Sequence, residues 1–131
     1  MRTLIVEDDL TSRLVLQTFL ARYGDCHVAV NGKEAVEAFR LARSTGKNYD
    51  LICMDIMMPE MDGQEALRQI RAIEEAGGIL SSSGAKIIMV TALDDMKNVI
   101  RSFQSLCDAY LFKPIDTAQL RGNLKALRLI G

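Results

Sequence analysis

The chain is 131 residues long, 49% apolar and 25% charged, with 17 acidic and 16 basic side chains and a formal net charge of −1. This is the size and composition of one globular domain with a substantial core, and it excludes the strongly basic face of a nucleic-acid-binding domain. No apolar run approaches the roughly 18 residues of a membrane span, and the run after Met1-Arg2-Thr3 ends after about three residues, short of a secretory leader's core; a cytoplasmic protein is expected, with no membrane and no direct nucleic acid among its partners.

In chain order, short apolar runs alternate with longer amphipathic segments. Residues 3–6 form the first run, and Leu16, Phe19, Leu20 and Tyr23 then repeat at helical spacing. The second run, residues 27–30, leads into Asn31 with Glu34 three places on, a capping-box pattern ahead of Ala35, Val36, Phe39 and Ala42. The third run is 51–54. Asp62 and Glu65 repeat the capping device before Leu67 and Ile70, and that helix should stop at Gly77, where glycine can turn left-handed. Residues 77–84 read as a long, flexible surface loop before the fourth run, 86–90. A fourth helix carries Met96, Val99, Ile100, Phe103 and Leu106; the fifth run is 109–112; Asp116 and Gln119 open a fifth helix with Leu120, Leu124 and Leu127. Cys26, Cys53, Cys107 and the single His27 lack metal-ligand spacing and read as reduced thiols and a lone imidazole, with Cys53 buried in a strand.

The runs are nearly continuous in apolar character, as for strands buried on both faces. Five of them alternating with five helices predict an α/β fold, a doubly wound parallel sheet with helices on both sides. In such sheets sites lie at the carboxyl ends of the strands. There the sequence places Glu7-Asp8-Asp9, Asp55, Thr91-Ala92 and Lys113-Pro114. Each has a bland reading in isolation: Asp8 or Asp9 as a helix cap, Asp55 as a turn residue, Lys113-Pro114 as a strand exit. Together they put several carboxylates, a hydroxyl and an ammonium at one edge. Crowded carboxylates need a compensating cation, and hard oxygen ligands with room for water suit Mg²⁺. A carboxylate is also a competent nucleophile toward phosphorus.

Leu4-Ile-Val-Glu-Asp-Asp9, Asp50-Leu-Ile-Cys-Met-Asp-Ile-Met-Met-Pro-Glu-Met-Asp-Gly63, Val90-Thr-Ala92 and Tyr110-Leu-Phe-Lys-Pro114 resemble the acidic-pair, phosphoacceptor, switch and lysine motifs of the response-regulator receiver family, the CheY-like domains of two-component signalling. The resemblance runs over essentially the whole chain and implies one receiver domain over residues 1–131, with the flavodoxin-like strand order 2-1-3-4-5. It implies Asp55 as phosphoacceptor. Glu7 and Asp8 resemble the acidic pair, Asp8 being the more direct metal ligand, and Asp9 a capping residue. Met57 resembles the residue whose backbone carbonyl completes a site for Mg²⁺, for which Mn²⁺ can substitute. Thr91 and Tyr110 resemble the switch pair. Ala92 and Lys113 resemble the phosphate-binding positions, and Pro114 a proline whose peptide bond is commonly cis.

The same resemblance implies a phosphorelay regulator that catalyses only its own phosphorylation and dephosphorylation. Its donor would be a histidine kinase or a histidine phosphotransfer protein. Its signal would pass to a downstream protein target, itself not legible, through the face of the fourth helix, fifth strand and fifth helix. A phosphohydrolase with an aspartyl nucleophile would want a second acid two residues on, and that position is Met57. Departures from the family pattern are the Glu-Asp order of the acidic pair, Leu106-Cys107 where Gly-Ala is usual, and the longer loop from Gly77. Met57 and Leu93 also stand where a hydrolytic water would be positioned, which implies a long-lived phosphorylated form.

Overall fold

The computed structural model describes residues 1–58, 60–79, 83–92 and 107–131. Strands β1 (Thr3–Val6), β2 (Cys26–Ala29), β3 (Leu51–Asp55), β4 (Lys86–Ala92) and β5 (Ala109–Lys113) form one sheet in the order β2-β1-β3-β4-β5. Every neighbouring pair is parallel. The described helices are α1 (Leu10–Leu20), α2 (Gly32–Ser44), α3 (Gly63–Ala76) and the C-terminal α4 (Thr117–Ala126). This α4 is the fifth helix expected from sequence. The expected fourth, with Met96, Val99, Ile100, Phe103 and Leu106, lies outside the described residues, as does Leu93.

Period-two alternation divides the core. Leu4, Val6, Ile52, Met54, Ile87 and Met89 face α2 and α3, meeting Val36, Phe39, Leu67 and Ile70. Ile5, Cys53, Ile88, Val90 and Leu111 face α1 and α4, meeting Leu16, Phe19, Leu20, Leu120 and Leu124. With both faces covered, β1 and β3 are fully buried. The second strand differs from expectation in two ways. It sits one residue earlier, and His27 and Val28 are exposed, because β2 is an edge strand.

The helix starts follow the capping chemistry. Asp9, Asn31, Asp62 and Asp116 are the N-caps, each accepting from amides of its first turn. Helix α3 does end at Gly77, but the left-handed residue is Gly78, at φ 81°. Gly78 N–H bonds Glu75 O and Ile79 N–H bonds Glu74 O, the paired closure of a Schellman turn. At the other end of α3, a Cβ on Gly63 would collide with the carbonyl of Asp55. Glycine there lets the helix start pack directly on the exit of β3, with Gly63 N–H bonded to Ile56 O at 2.8 Å.

The amino ends of the strands carry a buried ionic knot. Arg71 of α3, 5% exposed, gives Nη1 to Glu74 Oε1 at 2.7 Å and to Ala85 O at 2.8 Å, and Nη2 to Asp108 Oδ2 at 2.9 Å. Glu74 also takes the Ala85 amide and Asp108 the Ile87 amide, each at 2.8 Å. Helix α3 is thereby bonded to the starts of β4 and β5.

Candidate phosphoacceptor site

The register fixes where each chemical group stands. Val6 lies beside Met54, Asp55 beside Val90, and Ala92 beside Lys113. The ladder continues one step past β1, with Glu7 N–H bonded to Ala29 O at 3.0 Å. Glu7, Asp55 and Lys113 share the alternation of Ile5, Cys53 and Leu111, so all three side chains leave the sheet on the α1 and α4 side. They meet at its carboxyl edge. Lys113 Nζ lies 2.9 Å from Glu7 Oε1 and 3.3 Å from Asp55 Oδ2. Thr91 and Tyr110 have the opposite alternation and occupy the other face of neighbouring strands.

Glu7 is wholly buried and Asp55 only 5% exposed. Burial, and after it the negative charge of Glu7, pushes the Asp55 carboxyl up to about 7, against the opposing pull of Lys113. Lys113 is partly exposed. Burial draws its pKa down, but Glu7 and Asp55 outweigh that and raise it, so the ammonium keeps its charge. Asp55 Oδ1 also accepts the Met57 amide at 3.3 Å. Asp9 is held apart: its carboxylate takes Ser12 Oγ at 2.7 Å and Ser12 N–H at 3.1 Å, the capping role expected of it.

One ammonium serves two carboxylates here, and a third, Asp8, stands exposed beside them. Ligand atoms of Glu7, Asp8 and Asp55 lie within 4.8 Å of one another. Among the described residues Glu7 Oε2 is buried with no hydrogen-bond partner. An orphaned carboxylate oxygen, a second buried carboxylate and an exposed third that leaves room for water together fit a hard divalent cation.

The described residues thus bring Glu7, Asp8, Asp55 and Lys113 together at one edge, with the Met57 amide on Asp55 and Ala92 beside Lys113 in the sheet. Thr91 is buried, its Oγ1 3.4 Å from Ala92 O. Tyr110 is half-buried and its hydroxyl pKa is raised by burial and by a hydrogen bond with Cys107. The Lys113-Pro114 bond is cis, as the resemblance implied. Two contacts were not legible. Lys113 clamps Glu7 as well as Asp55, a partnership between residues 106 apart in sequence. Asn123 of α4 bonds the Tyr110 carbonyl at 2.8 Å, and a lone amide on a helix carries no signal of that.

The family model described as "Response regulator receiver domain" matches residues 3–125. The chain belongs to the response regulator receiver family. Among curated relatives of this receiver, the transcriptional regulatory protein ResD of Bacillus subtilis is 34% identical over 127 residues, covering 96% of this chain and 47% of ResD. The probable transcriptional regulator ycf27 of Cyanidium caldarium is 33% identical over 95% of the chain and 45% of its own length. The receiver chain therefore spans about half the length of these relatives. Among solved structures, the receiver domain of Saccharomyces cerevisiae Ssk1, crystallised with the histidine phosphotransfer protein Ypd1, superposes with a TM-score of 0.77 at 31% identity, covering 92% of this chain and 83% of that one. No described helix of the receiver is long and apolar enough to cross a membrane.

Proposed function

We propose that residues 1–131 form one receiver domain in which Asp55 accepts a phosphoryl group from a phosphohistidine on a histidine kinase or histidine phosphotransfer protein. The observation that carries this is the convergence of Asp55, Glu7 and Lys113 within 3.3 Å contacts, with Asp8 at the rim. An Asp55 carboxylate oxygen attacks phosphorus in line. The new O–P bond forms as the donor's N–P bond breaks, its electron pair returning to the imidazole. Lys113 meets the transferred oxygens with its ammonium, and the Ala92 amide and Thr91 hydroxyl supply neutral donors. Glu7, Asp8, Asp55 and the Met57 carbonyl would hold Mg²⁺ or Mn²⁺, which supplies charge neutralisation at the phosphoryl oxygens when bound.

The added phosphate brings close to two negative charges next to Thr91 and Lys113. Drawing Thr91 toward it opens space beside β4 into which Tyr110 turns. That shifts the face that carries β5 and α4 between two states, and a downstream protein binds one of them better. The domain is a signalling module whose chemistry is confined to its own aspartate. Support comes from the family match and from a similar receiver crystallised with a phosphotransfer protein. The test is beryllofluoride with Mg²⁺, a phosphoryl mimic, followed by amide NMR. Wild type should shift at Thr91, Tyr110 and Lys113, while Asp55→Asn should not respond. An unresponsive wild type would defeat the reading.

A further inference from the structure

The open edge of the sheet at β2 stands apart from the phosphoacceptor site and is used by none of that chemistry. Strand β2 has a single neighbour, β1. Asp25 O takes the Thr3 amide at 2.9 Å and Ala29 O takes the Glu7 amide at 3.0 Å. In a parallel ladder this sets the odd-numbered residues of β2 toward β1 and turns the amides and carbonyls of Cys26 and Val28 outward. The next outward amide, that of Val30, is closed by Glu34 Oε1 at 3.1 Å. Outward amides and carbonyls on alternate residues are what an added strand bonds. Native edges are commonly blunted by lysine, proline or a bulge. This one reads CHVA in unbroken register and has none of them.

Apolar surface and one cation flank the edge. Val28 and Val30 are 39% and 38% exposed, and Leu41 of α2 is 65% exposed. Between β2 and α2 lies a cavity of about 340 Å³ with Leu4, Ala38, Leu41 and Ala42 in its walls. Its polar part is built by Arg2, His27 and Tyr49. His27 Nδ1 and the Tyr49 hydroxyl are 2.9 Å apart, and the Arg2 guanidinium carbon lies 5.1 Å from the Tyr49 ring centroid. Among the described residues Arg2 Nε is buried with no hydrogen-bond partner, and no carboxylate lies within salt-bridge distance of the guanidinium. Asp50 is engaged with the Arg2 backbone amide, at 2.8 Å. A guanidinium held on a ring without an anion, at the wall of an apolar cavity, is matched by a carboxylate.

We propose that β2 takes an extended segment of a partner protein as a sixth strand, with an aspartate or glutamate of that segment paired to Arg2. Alternate side chains of such a segment point to opposite faces of the sheet. One set would cover Val28, which shares the face of Ile5, and the other would enter the cavity beside Leu41 on the α2 face. A second copy of this chain fits less well. Antiparallel pairing of two β2 edges about Val28 would set the Cys26 carbonyl against the Val30 amide, which Glu34 already occupies.

The test titrates the full chain with short synthetic peptides of alternating valine and threonine. One carries glutamates at its ends and one carries lysines. A third is the glutamate peptide with its interior amides N-methylated, so that neither edge can donate. Binding is read by fluorescence anisotropy and by amide hydrogen exchange. The glutamate peptide should bind about tenfold or more tightly than either of the others and should slow exchange at Cys26 and Val28. Arg2→Glu should reverse the preference between glutamate and lysine peptides. Val28→Lys, which leaves Arg2 in place, should weaken both. Val28 is exposed and Arg2 partly so, and circular dichroism checks that the variants fold; should Arg2→Glu fail to fold, Arg2→Gln should bring the two peptides to equal affinity. Equal affinity of wild type for the glutamate and lysine peptides, equal affinity for the methylated and unmethylated ones, protection mapping away from β2, no saturable binding at millimolar peptide, or sedimentation showing the free chain paired with a second copy through this edge would overturn the proposal.

Discussion

Asp55 is a carboxylate that the fold makes reluctant to ionise. Its pKa lies near 7 in the folded chain against 3.8 for an unperturbed aspartate, because burial and Glu7 both oppose the charge. Between those values the folded state holds more protons than the unfolded one, so stability falls as pH rises from about 4 to 7 and then levels off. Asp55→Asn removes that dependence. In chelator, the variant's stability advantage should be near zero at the acid end and grow to on the order of 2 kcal/mol by neutral pH, as read from urea melts across the series. A constant difference at all pH values would show that Asp55 is not the strained carboxyl. A divalent cation held by these carboxylates would relieve the same strain, and under the proposed function this would tie the reactivity of Asp55 to metal occupancy. Met57 belongs to this scale too. Its side chain is 61% exposed and cannot orient a water, so Met57→Asn should shorten the lifetime of the phosphorylated form. Decay followed in Mg²⁺ buffer without phosphatase checks this, and an unchanged or longer lifetime would contradict it.

Among the elements, the strands carry the chemistry at their ends and the ionic knot at their starts. Removing Arg71 would leave Glu74 and Asp108 with unpaired charge where Glu74 is 2% exposed. Arg71→Ala is expected to cost about 3–5 kcal/mol, and an exposed control, Arg68→Ala, about 0–1 kcal/mol. Chemical denaturation separates the two; similar small losses would mean the knot is solvated. Glu74 stands one helical turn from Arg71, but the knot as a whole was opaque in the sequence because its other members lie 14 and 37 residues away with no periodicity to announce them. What was legible followed local rules. Asn31, Asp62 and Asp116 cap helices because short polar side chains before an apolar period do so. Glu7, Asp55, Thr91 and Lys113 could be placed at one edge because parallel strands all exit the same way. The exposure of β2 was not legible, since an apolar run looks the same in the middle of a sheet as at its edge. The Glu7–Lys113 contact also escaped, because side-chain partners across two intervening strands depend on register, and register is set by the whole sheet.

At the scale of the whole molecule, the carboxyl end of the sheet holds three carboxylates against one ammonium, whereas at the other end two carboxylates share one guanidinium and backbone amides. The carboxyl end is therefore the end that gains by binding a cation. Mg²⁺ or Mn²⁺ should raise the melting temperature by mass action, and Asp8→Ala should abolish the rise without unfolding the chain, because Asp8 is exposed. Coincident melting curves with and without millimolar Mg²⁺ would remove the metal from the account. The central claim, that this assembly exists to place a phosphoryl group on Asp55, has a direct measurement. The full chain is incubated with acetyl phosphate and Mg²⁺, and intact-mass and peptide-mapping spectrometry are run beside Asp55→Asn. The account predicts a single phosphate adduct, Mg²⁺-dependent, mapping to Asp55 and absent from the variant. An adduct of equal yield on Asp55→Asn, or no adduct on a folded, Mg²⁺-loaded wild type, would contradict it.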